Sequence, residues 1–219
     1  MKILCLSGSN VQHKRDSSAS TKTCLMIERL IGEISLEKIE RETIALLDYN
    51  LAPCIFCGKC IEISKCAYDE DFNAIYSKIE KSDGLFVVVP HYAIIPAKIT
   101  MIMEKLNQIF YTAWLRDPNA KFALAGKKVA IVGHGGSDEK SFDHYKECII
   151  KPLNYLFGSL QFQVIGIDDQ RPKGVVFGVT GMNETEESIF PDMVHDWNEI
   201  EEMIAPLVFK IINHDQETS

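Results

Sequence analysis

Apolar positions along the chain follow two rhythms. Short, nearly continuous apolar runs recur at 2–7, 84–89, 127–132 and 162–167, the mark of strands covered on both faces in a parallel sheet. Between them, apolar residues return every three or four positions, as the buried stripe of a helix requires. Met26, Ile27, Leu30, Ile31 and Ile34 predict a helix over 21–34, and Phe72, Ile75, Tyr76 and Ile79 a short one. Ile99, Ile102, Met103 and Leu106 predict a helix over 96–110. Further helices are predicted over 139–157 and 191–212, and a further strand over 42–47. Five strands alternating with helices predict an α/β fold with an open, doubly wound sheet, because right-handed crossovers leave few other arrangements. Ligands of such sheets sit beyond the carboxyl ends of the strands. The loops after the first, third and fourth strands are therefore expected to converge on one site.

Composition narrows the class. The 219 residues exceed the usual ~150 per domain without reaching two, and the chain has no repeat, low-complexity tract or linker. A single domain over 1–219 is expected. Hydrophobic residues make up 46% and charged residues 25%, which excludes disorder. With 23 basic against 31 acidic residues the net charge is −8, so no basic stripe offers itself to nucleic acid. The apolar runs fall far short of the ~20 residues of a membrane span, and the first residues carry no signal-peptide pattern. A soluble, cytoplasmic protein with no membrane partner is expected.

The first loop is rich in hydroxyls. Ser7-Gly8-Ser9-Asn10, Lys14-Arg15 and Ser17-Ser18-Ala19-Ser20-Thr21 lead straight into a helix, whose N-terminus favours an anion. The helix dipole alone is worth only ~0.3–1 kcal/mol to a nearby charge, so a phosphate needs additional donors, and this loop supplies them. Neither GxxxxGK[ST] nor GxGxxG is present, which disfavours a nucleotide triphosphatase and a dinucleotide fold. The plainer reading is an N-cap by Ser18 or Ser20 in a polar loop.

Two further loops share the expected edge. After the third strand, Val89-Pro90-His91-Tyr92-Ala93-Ile94-Ile95-Pro96 forms a stiff, largely apolar ledge, suited to a flat heteroaromatic ring. After the fourth, Gly133-His134-Gly135-Gly136-Ser137 is expected to let the backbone approach a ligand, since no Cβ intervenes. His91 and His134 either touch that ligand or serve as hydrogen-bonded structural residues.

Ser7-Gly8-Ser9 with Ser20-Thr21, Pro90-His91-Tyr92 with Pro96-Ala97, and the Glu104-Lys105 pair resemble the NADPH-dependent FMN reductase family, over roughly residues 1–136. The resemblance implies a flavodoxin-like, three-layer fold with a five-stranded parallel sheet of order 2-1-3-4-5, FMN as cofactor, and a homodimer or homotetramer. Carried over by position, Ser9, Ser18, Ser20 and Thr21 would hold the FMN phosphate, with Asn10 and Arg15 beside them. Pro90, His91, Tyr92, Ala93 and Ile94 would line the isoalloxazine, and Gly133, Gly135 and Gly136 would border its other side. Two departures stand out. Asn10-Val11 opens a longer loop where the family often has Pro-Arg, which leaves Arg15 as a substitute phosphate partner. Glu104-Lys105 replaces a common Asp-Arg pair and loses the planar fork of arginine.

Four of the seven cysteines fall together, as Cys54-x2-Cys57-x2-Cys60-x5-Cys66, in a cysteine-rich loop at about 53–68. Soft thiolates suit iron–sulfur clusters or zinc. Zinc sites usually bring together two CxxC pairs from separate segments. Three cysteines spaced by two residues are ferredoxin-like, although the last gap differs and no proline follows. The spacing also resembles the iron–sulfur flavoprotein branch of the same family, which implies a [4Fe–4S] cluster exchanging electrons with FMN. A cluster-free loop, a disulfide-forming one and a zinc site stay open as alternatives. Cys5, Cys24 and Cys148 are expected in the core, and Asp69-Glu70-Asp71 at the start of a helix.

The expected function is an FMN-dependent oxidoreductase of the iron–sulfur flavoprotein type, with NAD(P)H a candidate donor. The partner would be a small-molecule electron acceptor or a redox carrier protein, and no side chain need act as a catalytic acid or base. The alternatives are a cluster-free NAD(P)H-dependent FMN or quinone reductase, and a non-catalytic flavin-binding electron carrier.

Overall fold

The computed structural model describes residues 1–92, 94–119, 121–184 and 191–213. Strands β1 (Lys2–Ser7), β2 (Glu40–Ala45), β3 (Gly84–Pro90) and β4 (Lys128–His134) lie parallel in the order β2-β1-β3-β4. Their inward residues alternate between two cores, as the two-residue period of a strand demands. Leu4, Leu6, Leu85, Val87, Val129 and Ile131 face one side, and Ile3, Cys5, Phe86, Val88, Ala130 and Val132 the other. Helices α3 (Glu70–Lys81), α4 (Ala97–Arg116) and α6 (Lys151–Ser159) cover the first side, while α1 (Ala19–Ile34) and α7 (Trp197–Asn213) cover the second. The result is a three-layer, doubly wound, flavodoxin-like sheet.

The fifth position differs from expectation. It is divided between β5 (Gln163–Ile165), paired to the first half of β4, and β6 (Val175–Phe177), paired to its second half. The predicted strand over 162–167 stops early because Gly166 opens a polar segment, Asp168-Asp169-Gln170-Arg171, that cannot continue a buried strand. Residues 166–174 therefore leave the sheet, and the order is completed by a segment of the chain not read as a strand.

Several boundaries also move. The strand predicted over 42–47 is Glu40–Ala45, followed by a 3-10 turn at Leu46–Asp48. Helix α4 runs two turns past 110, ending at Arg116. The helix predicted over 139–157 is a 3-10 turn, a short α5 (Phe142–Tyr145), a π-helical turn over Lys146–Ile150, and α6. The helix predicted over 191–212 begins only at Trp197. Before it, β8 (Asp192–Val194) pairs antiparallel with β7 (Gly181–Asn183). Helix α7 carries Pro206 internally and keeps Ile200, Ile204, Leu207, Val208 and Ile211 buried on α1 and the sheet. Among the described residues no helix is long and apolar enough to cross a membrane.

Candidate functional site

The loops after β1, β3 and β4 meet at the carboxyl edge of the sheet. Gly8 N donates to Val88 O at 2.8 Å, and a Cβ on Gly8 would lie 3.0 Å from that oxygen, so only glycine lets the first loop hug β3 this closely. Asn10 N donates to the Tyr92 hydroxyl at 3.1 Å, tying the first loop to the third. His91 N donates to His134 O at 2.7 Å. The convergence expected from the strand order is present.

Within the first loop most hydroxyls are already engaged. Ser18 caps α1, accepting from Thr21 N at 3.4 Å and donating to Thr21 Oγ1 at 3.0 Å. Thr21 in turn bonds Ser7 Oγ at 2.9 Å. Ser20 Oγ pairs with His134 Nε2 at 2.7 Å. Ser9 Oγ accepts from Val11 N at 3.2 Å, which leaves its own O–H free to donate. The first N–H groups of α1, at Ala19 and Ser20, have no intrahelical acceptor. Free helix N–H groups, the Ser9 hydroxyl and a loop shaped by buried hydroxyls suit a phosphate monoester. Arg15 does not join them, because its guanidinium is ion-paired to Asp48. Lys14 likewise reaches away, to Asp192 of β8.

His134 serves the frame rather than a ligand. Its ring is buried, stacks on Phe177 at 5.0 Å and bonds Ser20. Burial, reinforced by nearby His195, pushes its pKa down to about 3, so it stays neutral at neutral pH. His195 extends the stack, its ring edge on Phe177 and its Nδ1 against Gly178 O at 2.8 Å. This layer comes from β6 and the segment after β8, neither of which the hydrophobic pattern announced.

The glycines after β4 answer to the protein's own side chains. A Cβ on Gly135 would fall 2.2 Å from the Tyr145 ring, one on Gly136 3.1 Å from Met193, and one on Gly133 3.3 Å from Ile150 and Val176. Tyr145, Met193, Ile150 and Val176 occupy the side of this turn on which a Cβ would project. On the β3 loop, Pro90 is buried, while Tyr92 and Ile94 are about half exposed; they form the apolar ledge. Ala93 lies outside the described residues. His91 Nε2 is buried without a hydrogen-bond partner, and burial together with the neighbouring His144 lowers its pKa.

The cysteine loop, between β2 and α3, carries the one-turn helix α2 (Cys60–Ile63) and packs on the face covered by α3 and α4. Cys54, Cys57, Cys60 and Cys66 line one shallow pocket with Phe56, Tyr68, Lys105 and Ile109. The backbone curls through positive φ at Phe56 (51°), Gly58 (72°) and Ser64 (54°). The loop is pinned at both ends. Ala52 N donates to Asp69 Oδ2 at 3.0 Å, Cys54 N to Glu104 Oε2 at 3.3 Å, and Cys66 N to Asn73 Oδ1 at 2.9 Å. Lys105, buried, pairs with Asp69 at 2.6 Å and also bonds Ala52 O. Burial would raise the Asp69 carboxyl, but Lys105 and the N–H groups of Phe72 and Ala52 overcome it and hold its pKa below 3.8.

Asp69 caps α3 as expected, accepting from Phe72 N at 2.8 Å, but its pairing with Lys105 is not among the sequence expectations. A signal existed: Lys105 stands in line with Ile102 and Ile109 on the buried stripe of α4, where a charge must be paired. Cys5 and Cys24 are buried as expected. Cys148 is not in the core; it is partly exposed beside His144.

The profile of the NADPH-dependent FMN reductase family matches residues 1–148. The chain belongs to the NADPH-dependent FMN reductase family. The matched span contains the first loop, the β3 loop, the turn after β4 and all four loop cysteines. Within the family's relatives, an iron-sulfur flavoprotein of Methanocaldococcus jannaschii is 31% identical over 118 residues, covering 53% of this chain and 58% of that protein. An iron-sulfur flavoprotein of Methanosarcina thermophila is 32% identical over 115 residues, covering 50% and 56%. The chain thus spans little more than half the length of these relatives. Among solved structures, RosB with a bound formylriboflavin phosphate intermediate superposes with a TM-score of 0.65 at 18% identity, over 100% of this chain and 81% of that one. An FMN-dependent NADH-azoreductase of Bacillus anthracis, in complex with FMN, gives 0.53 at 13% identity, over 99% and 98%. At such identities these two likenesses bear on the fold alone.

Proposed function

We propose that this family member is an FMN-dependent oxidoreductase of the iron–sulfur flavoprotein type, with a [4Fe–4S] cluster on the cysteine loop. The observation that carries the reading is that four thiols on one curled loop line one pocket, on a chain whose hydroxyl loop fits a phosphate. A zinc ion would need its four sulfurs within about 4 Å of one another, from Zn–S bonds of about 2.3 Å. Among the described residues the group gathered at single-ion distance is a different one, His91, His144 and Cys148. A four-iron cage holds its cysteines farther apart.

Bound FMN and cluster would supply the redox chemistry, two-electron at the flavin and one-electron at the cluster. The chain's own residues do the holding. The α1 N-terminus and the Ser9 hydroxyl bind the phosphate, while Ser18, Ser20 and Thr21 fix the shape of that cradle. Pro90, Tyr92 and Ile94 present an apolar face to the ring and exclude water from one side of it. Lys105, through Asp69 and Ala52, fixes the base of the cysteine loop and places a cation near the thiolates. Arg15, paired with Asp48 just after β2, links the phosphate loop to the segment that leads into the cysteines.

The test is anaerobic purification with flavin, iron, sulfide and zinc measured on the same sample, followed by NAD(P)H oxidation with a quinone acceptor. One FMN and about four irons per chain, as a Cys₄ cubane requires, are expected. FMN without iron would leave a cluster-free reductase. Failure to bind FMN after reconstitution would end the reading altogether.

A further inference from the structure

Next to the β3 loop, and away from the cysteine loop, three ligand-capable side chains come together from distant parts of the sequence. His91 follows β3, His144 lies on α5, and Cys148 lies in the π-helical turn over Lys146–Ile150. One ring nitrogen of each histidine and the Cys148 sulfur all lie within 4.8 Å of one another. Cys148 Sγ is 3.6 Å from His144 Nδ1 and 3.7 Å from its Nε2. Bonds of about 2.3 Å to sulfur and about 2.0 Å to nitrogen at a tetrahedral angle place N and S about 3.5 Å apart, so this pair already has the spacing of two zinc ligands.

A second observation points to a ligand independently. His91 Nε2 is the one buried side-chain nitrogen or oxygen among the described residues with no hydrogen-bond partner. Folded proteins rarely leave such an atom unsatisfied, and an absent ion is one of the recognised reasons. The rings of His91 and His144 meet edge to face at 5.0 Å. Cys148 occupies a π-helical turn, a rare local form enriched at functional sites. His144 is exposed and Cys148 partly so, which gives an ion a way in.

We propose that His91, His144 and Cys148 form a mononuclear Zn²⁺ site whose fourth position is open to water or an anionic oxygen ligand. Two imidazoles and one thiolate are a donor set zinc accepts, and three protein ligands with one open position is the arrangement of reactive rather than structural zinc. On binding, Cys148 gives up its thiol proton to solvent, and the zinc–thiolate unit carries a net single positive charge. The site is separate from the four-cysteine loop and does not rest on the flavin reading. It reassigns only the ring of His91, leaving that residue's backbone to the β3 loop.

The experiment is equilibrium dialysis of the full-length protein, cofactors in place, against micromolar Zn²⁺, with metal analysis and zinc-edge X-ray absorption on the product. One zinc per chain is expected, with a first shell of one sulfur and two or three nitrogen or oxygen atoms. His144→Ala, a change at an exposed position, should lose that zinc, as should Cys148→Ala, whereas Cys57→Ala should keep it. A four-sulfur shell, zinc retained in both His144→Ala and Cys148→Ala, or no zinc retained by the unaltered protein would each overturn the assignment.

Discussion

The loops that follow β1 and β2 leave the same edge of the same sheet, yet they are built in opposite ways. The first closes on itself through Ser7, Thr21, Ser18 and Ser9 and lies flat against β3 through Gly8. The second is bonded at its two ends, to Asp69, Glu104 and Asn73, while Ile55 and Phe56 at its crest stand well exposed. A hydroxyl can satisfy itself with a neighbouring hydroxyl, so a phosphate cradle can exist fully formed before its ligand arrives. A thiol is a weak hydrogen-bond donor and acceptor, so four of them cannot hold a loop together unaided. The first loop should therefore depend on its interior bonds and the second on its anchors.

The sharpest break in this comparison is at Lys105. Removing one partner of a buried ion pair leaves an uncompensated charge, at a cost of about 3–5 kcal/mol, and the Lys105–Asp69 pair is only 3% exposed on each side. Lys105→Met is expected to lower the urea midpoint accordingly and to lose iron while still binding FMN. Iron retained at full stoichiometry would show that the anchor is dispensable and the comparison wrong.

Acid should separate the two loops next. His134, behind the first loop, titrates at about 3 when folded against about 6.5 when unfolded. Above pH 6.5 neither state binds the proton and there is no effect. As the pH falls, the unfolded chain takes up a proton that the folded one refuses, and stability drops by about 2 kcal/mol by pH 5. Asp69 has the opposite sign of effect and a lower window. Its folded pKa is depressed, so its contribution is complete above the unfolded value near 3.8 and is lost only as the pH falls below it. Denaturant unfolding from pH 7 to 2, with a proton NMR titration of the His134 ring over the same range, checks the order: the layer behind the first loop should weaken first.

The sequence shows these two designs unequally, for physical reasons. Strands β1, β3 and β4 are buried on both faces, so their apolar runs are plain in the sequence, while the order of the first four strands is what the family resemblance implies. The divided fifth position was hidden because Val175-Val176-Phe177 is three residues long, too short for any period to show. The glycines after β4 announce that something comes close; that it is Tyr145 and Met193 could not be read without the chain folded. Cysteine spacing is local and legible, whereas its support, Lys105 against Asp69, joins residues 36 apart and betrays itself only as a charge on an apolar stripe. His144 and Cys148 carried an i, i+4 spacing, but their third companion, His91, is brought by the sheet.

Two smaller effects sharpen the contrast from inside each loop. Ser18→Ala removes the cap of α1 and the bond to Thr21, and about 1 kcal/mol of stability should go with it, together with weaker FMN binding measured by fluorescence titration. In the cysteine loop the corresponding interior change should stabilise. Phe56 is 70% exposed with φ at 51°, so it packs little and holds a left-handed backbone that costs a side-chain-bearing residue about 1–2 kcal/mol. Phe56→Gly relieves that strain and loses about 0.5–1 kcal/mol to the greater freedom of glycine in the unfolded chain, leaving a gain of about 0.5–1 kcal/mol in denaturant unfolding. Iron content should be unchanged, because glycine keeps the positive φ and all four thiols stay in place. If iron were lost instead, the phenylalanine side chain would be sheltering the metal, and the crest of the loop would be a lid as well as a cage.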